Sequence, residues 1–161
     1  MTEKRPGIFG RIAGALATPQ KSTALSWQPS KQPYPRLIGF DARALAGQEG
    51  LYLLWHLGVR PQWLRAGYSS DLGAAATLLA RTPEFAAFAP HDGPFLSWSA
   101  CVREDAPGLV NFLIGRLNPC RQDLGVPCDL VCDSKAEPIS CTLPPGTKDV
   151  HLALNIHAHR N

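Results

Sequence analysis

Gly50-Leu-Tyr-Leu-Leu-Trp-His-Leu-Gly-Val-Arg-Pro-Gln-Trp-Leu-Arg-Ala-Gly-Tyr-Ser-Ser-Asp-Leu72 is the stretch on which the reading of this chain turns. Leu51 to Leu57 is a nearly continuous apolar run of strand length, enriched in the aromatic residues that suit a sheet. Gly58-Val-Arg-Pro61 is turn chemistry, and Gln62 to Gly67 reads as a second strand. So short a connection cannot support a parallel crossover, which leaves an antiparallel hairpin. Ser70 or Asp71 is placed to cap a helix running through the alanine-rich stretch that ends at Ala80.

Outward from that hairpin, Pro94 to Val102 carries Phe95, Leu96, Trp98, Ala100 and Val102 in the loose alternation of a third strand. Pro107 suits a helix start, and Leu109, Val110, Phe112, Leu113, Ile114 and Leu117 supply the apolar side of a helix that Pro119 closes. Phe40 to Ala46 is a short helix or turn with Asp41 as its cap. The fold expected is α+β, a small three-stranded antiparallel sheet with flanking helices over residues 37–120. An arm (1–36) precedes it and an irregular extension (121–161) follows, the latter with a short strand at Val150 to Ile156.

Bulk properties agree with one core plus appended segments. The chain has 161 residues, 45 % of them hydrophobic, and ten of its fifteen prolines fall in the first 36 residues and the stretch after Asn118. The net charge of +3 is uneven: Lys4, Arg5, Arg11, Lys21, Lys31 and Arg36 face Glu3 alone in the arm, while the remainder has ten basic and twelve acidic residues. A basic arm on a near-neutral body points to an acidic protein partner, a nucleic acid or an anionic membrane surface. It is equally the pattern of a solubilising tail. No apolar run approaches the roughly 20 residues of a membrane-spanning helix, and Gly7 to Ala17 is too interrupted for a secretory signal. Cytoplasmic residence is the expectation.

Within the arm, Ile8, Phe9, Ile12 and Leu16 fall near one face at helical spacing. Glycines at 7, 10 and 14 each weaken such a helix by about 1 kcal/mol, so the stripe is expected to order against a groove or a lipid surface, the alternative being a short helix packed on its own domain. Four buried apolar side chains at about 1.5–3 kcal/mol each barely offset the backbone entropy lost. Added contacts from the basic residues or from Gln20 to Arg36, within an extended proline-punctuated linker (Thr18 to Arg36) that has Trp27 and Tyr34 as anchors, are therefore expected. On the strands, Trp55, Trp63 and Trp98 either fill the core or act as interface anchors. Arg60 and Arg65 flank Trp63 in what would be a basic aromatic face.

Gly50-Leu51-Tyr52, then Trp63 to Gly67, then Gly67, Ser69, Asp71 and Leu72 as a G-x-S/T-x-N/D-L helix entry, resemble the opening of a GIY-YIG nuclease domain. Leu113-Ile114 before Pro119 is similar to that family's E-x-x-L-I helix. The resemblance implies a tyrosine-activated water, a helix arginine at the scissile phosphate and a metal-holding glutamate. Tyr52 stands at the first tyrosine position, and the second falls on Leu64 or Arg65. The first helix has no basic residue before Arg81, and the glutamate position falls on Val110 or Asn111. With three such groups replaced, no catalytic residue is assigned and no cofactor is expected.

Other chemistry is weaker. Cys120, Cys128, Cys132 and Cys141, with His151, His157 or His159, are zinc-type ligands, but their spacing is not that of a paired knuckle, and free thiols are expected. Ser69 and Ser70 lack a nucleophile elbow, and His56 reads as core or edge. The function expected is a non-catalytic accessory or structural subunit of a larger protein assembly. Its partner-binding residues are Ile8, Phe9, Ile12, Leu16, Trp27, Tyr34, Trp63 and Arg65. The alternatives are a nucleic-acid-binding derivative of the nuclease fold and a divergent metal-dependent endonuclease.

Overall fold

A computed structural model describes residues 22–31, 33–58, 61–91, 93–124 and 135–145. Strands β1 (Gly50–His56), β2 (Gln62–Ser69) and β3 (Phe95–Ala100) form one antiparallel sheet in the order β2-β1-β3. Every residue of β1 is buried, because strands flank it on both edges and helices cover both faces. That is why the strand reads as an unbroken apolar run and not as an alternation.

Side-chain parity sorts the core into two halves. Leu51, Leu53 and Trp55 point to one face with Trp63, Ala66 and Tyr68, where they meet Ala106, Leu109, Val110, Leu113 and Leu117 of helix α3 (Ala106–Leu117). Tyr52, Leu54, Leu64 and Leu96 point the other way, against Leu72, Ala76 and Leu79 of helix α1 (Leu72–Arg81) and Phe85 of the single-turn helix α2 (Pro83–Ala86). The β1–β2 register slips between Leu54 and Trp55, so Leu54 pairs with Arg65 and Trp55 with Trp63. This bulge leaves Leu64 without a partner in β1 and turns both it and Arg65 toward the α1 side.

Local chemistry accounts for the helix ends. Asp71 caps α1 by accepting from the Ala74 amide at 3.0 Å, and the same oxygen accepts from Gly47 N–H at 3.1 Å. One carboxylate thus ties α1 to the turn that follows the short 3-10 helix Ala42–Leu45, itself capped by Asp41. Helix α3 starts with Pro107 in its first turn and stops at Asn118, whose left-handed backbone (φ 48°, ψ 61°) precedes Pro119.

Residues 22–37 differ from the expected linker. Gln28 and Trp98 exchange backbone hydrogen bonds at 2.7 and 3.0 Å, and Leu96 N–H and Leu37 N–H bond to Pro35 O and Pro94 O at 3.0 and 2.8 Å. The segment therefore lies along the outer edge of β3, and it drops Trp27 and Tyr34 into the α3-side core. Prolines are tolerated there because a covering edge segment does not have to continue the ladder. Part of the C-terminal extension joins in: Thr23 forms a parallel bridge to Cys141, and Trp27 Nε1–H donates to Thr142 O at 2.6 Å. Residues 137–139 cross α3 at Gly108, where a Cβ would lie 2.6 Å from both Glu137 O and Ile139 Cγ1. The stripe Ile8, Phe9, Ile12, Leu16 and the strand at 150–156 lie outside the described residues.

Candidate functional site

On the α1 side, Tyr52 and Gly67 are direct cross-strand partners. A Cβ on Gly67 would strike the Tyr52 ring, 2.8 Å from Cε1. The missing side chain lets the phenol lie across β2, where Arg65 Nε–H donates to Tyr52 Oη at 3.1 Å. Arg65 Nη1 donates in turn to Leu124 O at 2.9 Å and Gln122 O at 3.2 Å. Arg65 is 4 % exposed and Tyr52 3 %. Burying such a cation is tolerable only when its donors meet strong acceptors, which the carbonyls and the phenol oxygen provide.

The glutamate and arginine positions implied by the resemblance are also taken up by structure, the former on the opposite face of the sheet from Tyr52. Val110 is buried in the α3 core, and the Asn111 amide donates to Ala136 O at 2.9 Å. Helix α1 turns Leu72, Gly73, Ala76 and Leu79 inward, and its first basic residue is Arg81 in the last turn.

Two polar clusters sit at opposite ends of the sheet. Where β1 ends, His56 Nδ1 accepts from Gly58 N–H at 3.2 Å, which leaves the proton on Nε2, 3.5 Å from Gln62 Oε1. Phe88 lies against the imidazole with ring centres 4.6 Å apart, and Arg121 lies over Phe88. Burial is the main cause of a lowered His56 pKa, so the ring is a neutral structural group. Where β1 begins, Tyr68 Oη donates to Glu49 Oε1 in a short bond. Burial, then that bond and the carboxylate's charge, push the phenol up to about 12. Cys101 beside it is also raised to about 12, by burial and then by Glu49 and Asp105.

The other described thiols behave alike. Cys141 is raised to about 11 by burial, and burial raises Cys120 as well. These three are free cysteines that stay protonated at neutral pH and make poor nucleophiles and poor metal ligands. Among the described residues no group of three metal-type ligands converges. Cys128, Cys132, His151, His157 and His159 lie outside them.

Of the eight residues expected to bind a partner, the four that are described are interior. Trp27, Tyr34, Trp63 and Arg65 are 3, 7, 2 and 4 % exposed. Tyr34 and Trp63 both pack against Trp55, with ring centres 5.0 and 6.2 Å away. Trp63 and Arg65 of the expected basic aromatic face are therefore core, Arg60 lies outside the described residues, and only Trp98 of the strand tryptophans is half-exposed. Sequence reasoning passed over Gln122 and Glu49. A lone glutamine in an aperiodic tail carries no signal, whereas Glu49, set directly before the first strand, could have been flagged.

No family model, curated protein or solved structure matches this chain.

Among the described residues, no helix is long and apolar enough to cross a membrane.

Proposed function

We propose that this chain is a non-catalytic accessory subunit, a divergent GIY-YIG-like module that attaches to a larger protein assembly. The observation that carries the reading is the Tyr52–Arg65 pair. A tyrosine working as a base must reach water and substrate, and an arginine serving a phosphate must turn its donors outward. Here the two groups bond each other in the interior, and Arg65 spends Nη1 on main-chain carbonyls. Val110 in the core and Asn111 bonded to Ala136 O support the same reading at the glutamate position. Attachment then falls to the stripe Ile8, Phe9, Ile12 and Leu16 together with the outer surface of the domain.

The experiment has two arms. Purified protein with magnesium or manganese is expected to leave plasmid and single-stranded DNA intact. Cleavage that Tyr52→Phe abolishes restores the nuclease alternative. In parallel, the full chain, a chain lacking residues 1–21 and the Phe9→Asp/Ile12→Asp double variant are used to recover partners from native extract. The truncation stops at 21 because Trp27 and Tyr34 belong to the core. A protein partner retained by the full chain and lost from both variants is the expected result. Recovery of nucleic acid in place of protein, equal for all three, overturns it.

A further inference from the structure

The two ends of the sheet carry opposite charge. Where β1 begins, Glu49 precedes it, Asp71 follows β2, and Glu104 and Asp105 precede α3, with Arg103 beside them. Where β1 ends, four arginines gather. Arg36 bridges to Phe95, the cross-strand partner of Trp55, and its guanidinium lies over the Phe95 ring, 5.4 Å from the centroid. Arg121 follows Cys120, whose N–H bonds to Trp63 O, and it lies over Phe88 at 5.7 Å, the ring that rests on His56. Arg81 and Arg116 are exposed in the last turns of α1 and α3. Both helices run toward this end: α1 leads from Asp71 through α2 to Phe88, and α3 leads from Asp105 to Cys120 at Trp63. The acidic residues nearby are Glu84 of α2 and Asp123.

Two of these cations have a local reason, because a positive side chain in the last turn offsets the negative end of a helix. Arg36 and Arg121 are on no helix, and each is stacked on a ring. Stacking holds a guanidinium in place without drawing on its N–H donors, so less rotamer entropy is lost when it meets a carboxylate. Their separation follows from the sheet. Residues 28–37, β3, β1, β2 and residues 120–121 lie side by side as five runs of backbone. At about 4.8 Å per spacing the outermost two are roughly 19 Å apart, which about six extended residues cover.

We propose that this end of the domain docks an extended acidic segment of the partner protein, held by Arg36 and Arg121 and attracted by Arg81 and Arg116. The proposal rests on the accessory-subunit reading and adds the chemistry of the partner. A nucleic acid fits less well. The rings that would stack its bases are already taken, Phe95 by Arg36 and Trp55, and Phe88 by Arg121 and His56.

The full chain is titrated against a fluorescent peptide of about ten glutamates and, separately, a fluorescent oligothymidine of about ten nucleotides, and binding is read by anisotropy. The peptide is expected to bind, and to bind about tenfold more weakly to Arg36→Gln/Arg121→Gln, a few-fold for each exposed charge contact removed. Arg36→Lys/Arg121→Lys keeps the charge and is expected to fall between the two. Raising the salt from about 50 to about 500 mM should abolish binding. Arg81→Gln/Arg116→Gln makes the same test through exposed residues outside the core, and it should weaken binding by a smaller factor. Phe9→Ser/Ile12→Ser alters the stripe without changing charge and is expected to bind the peptide as the parent does, so this surface and the stripe can fail separately. Equal peptide binding by the parent and both glutamine variants places the contact on the basic arm and overturns the proposal. So does a peptide that fails to bind, or oligothymidine bound more tightly than the peptide.

Discussion

Replacing Trp27 by alanine separates two descriptions of residues 22–37, a loosely attached linker or a structural part of the core. The indole is 3 % exposed in the α3-side cluster, and its Nε1–H bonds to Thr142 O at 2.6 Å. Truncating a buried tryptophan to alanine costs about 3–5 kcal/mol. The lost hydrogen bond adds little, because Thr142 is exposed and water can take its place. Against a total stability on the order of 5–15 kcal/mol, that is roughly a fifth of the whole or more. With a urea m-value of roughly 2 kcal/mol/M, the unfolding midpoint should fall by about 2 M. Trp27→Phe keeps most of the apolar volume and gives up the donor, so its loss should be only about 1 kcal/mol. The assay is equilibrium urea unfolding followed by tryptophan fluorescence and circular dichroism together. An alanine variant destabilised by less than about 1 kcal/mol would refute the placement of this segment in the core.

Asp71→Ala should cost about 0.5–2 kcal/mol as a lost cap, and more than an ordinary cap because Gly47 N–H loses the same acceptor. Asp71→Asn should stay close to the parent in thermal melts, and equal melting of all three would count against the double role. His56 supplies the pH dependence. Its folded pKa is lowered by burial, the Gln62 bond acts against that, and the nearby His91 charge adds to it. The folded state therefore holds fewer protons than the unfolded one just below the ordinary histidine value of about 6.5. Its contribution is complete above that pH and is lost as the pH falls from there through the folded pKa. His56→Gln should flatten the stability profile across that window, and an unchanged slope would show that other groups set it.

The regular elements were legible because each carries two agreeing signals. Leu51 to Leu57 has strand length and strand composition, and β1 forms at Gly50–His56. Asp71 stands where the alanine-rich stretch needs a cap, and it is the cap. The β2-β1-β3 order was not readable, since a hairpin does not say which of its strands takes the third. Trp27 and Tyr34 are the informative side chains of the arm, but they pack into the core beside α3 and not against a partner. Pro29, Pro33 and Pro35 make that segment look like a spacer, and edge coverage needs too few consecutive bonds to leave a periodic pattern. Arg65 shows the same limit. An arginine beside a tryptophan on a strand reads as surface, and only the bulge at Leu64, the absent side chain at Gly67 and the distant carbonyls of Gln122 and Leu124 make its burial affordable.

The hydrogen bond from Trp27 to Thr142 spans 115 positions of sequence, and that separation has a meaning during synthesis. At roughly 5–20 residues per second, a ribosome takes on the order of 6–23 s to deliver the second partner after the first. Throughout that interval Trp27 and Tyr34 lack the Thr23–Cys141 bridge and the rest of their C-terminal contacts. The hairpin and α1 can form from local contacts as they emerge, but the corner of the α3-side core that Cys141 joins must wait for residues near 140. The nascent chain therefore carries an aromatic segment that a chaperone could recognise, and a stop codon placed shortly before residue 140 would leave the protein permanently in that state.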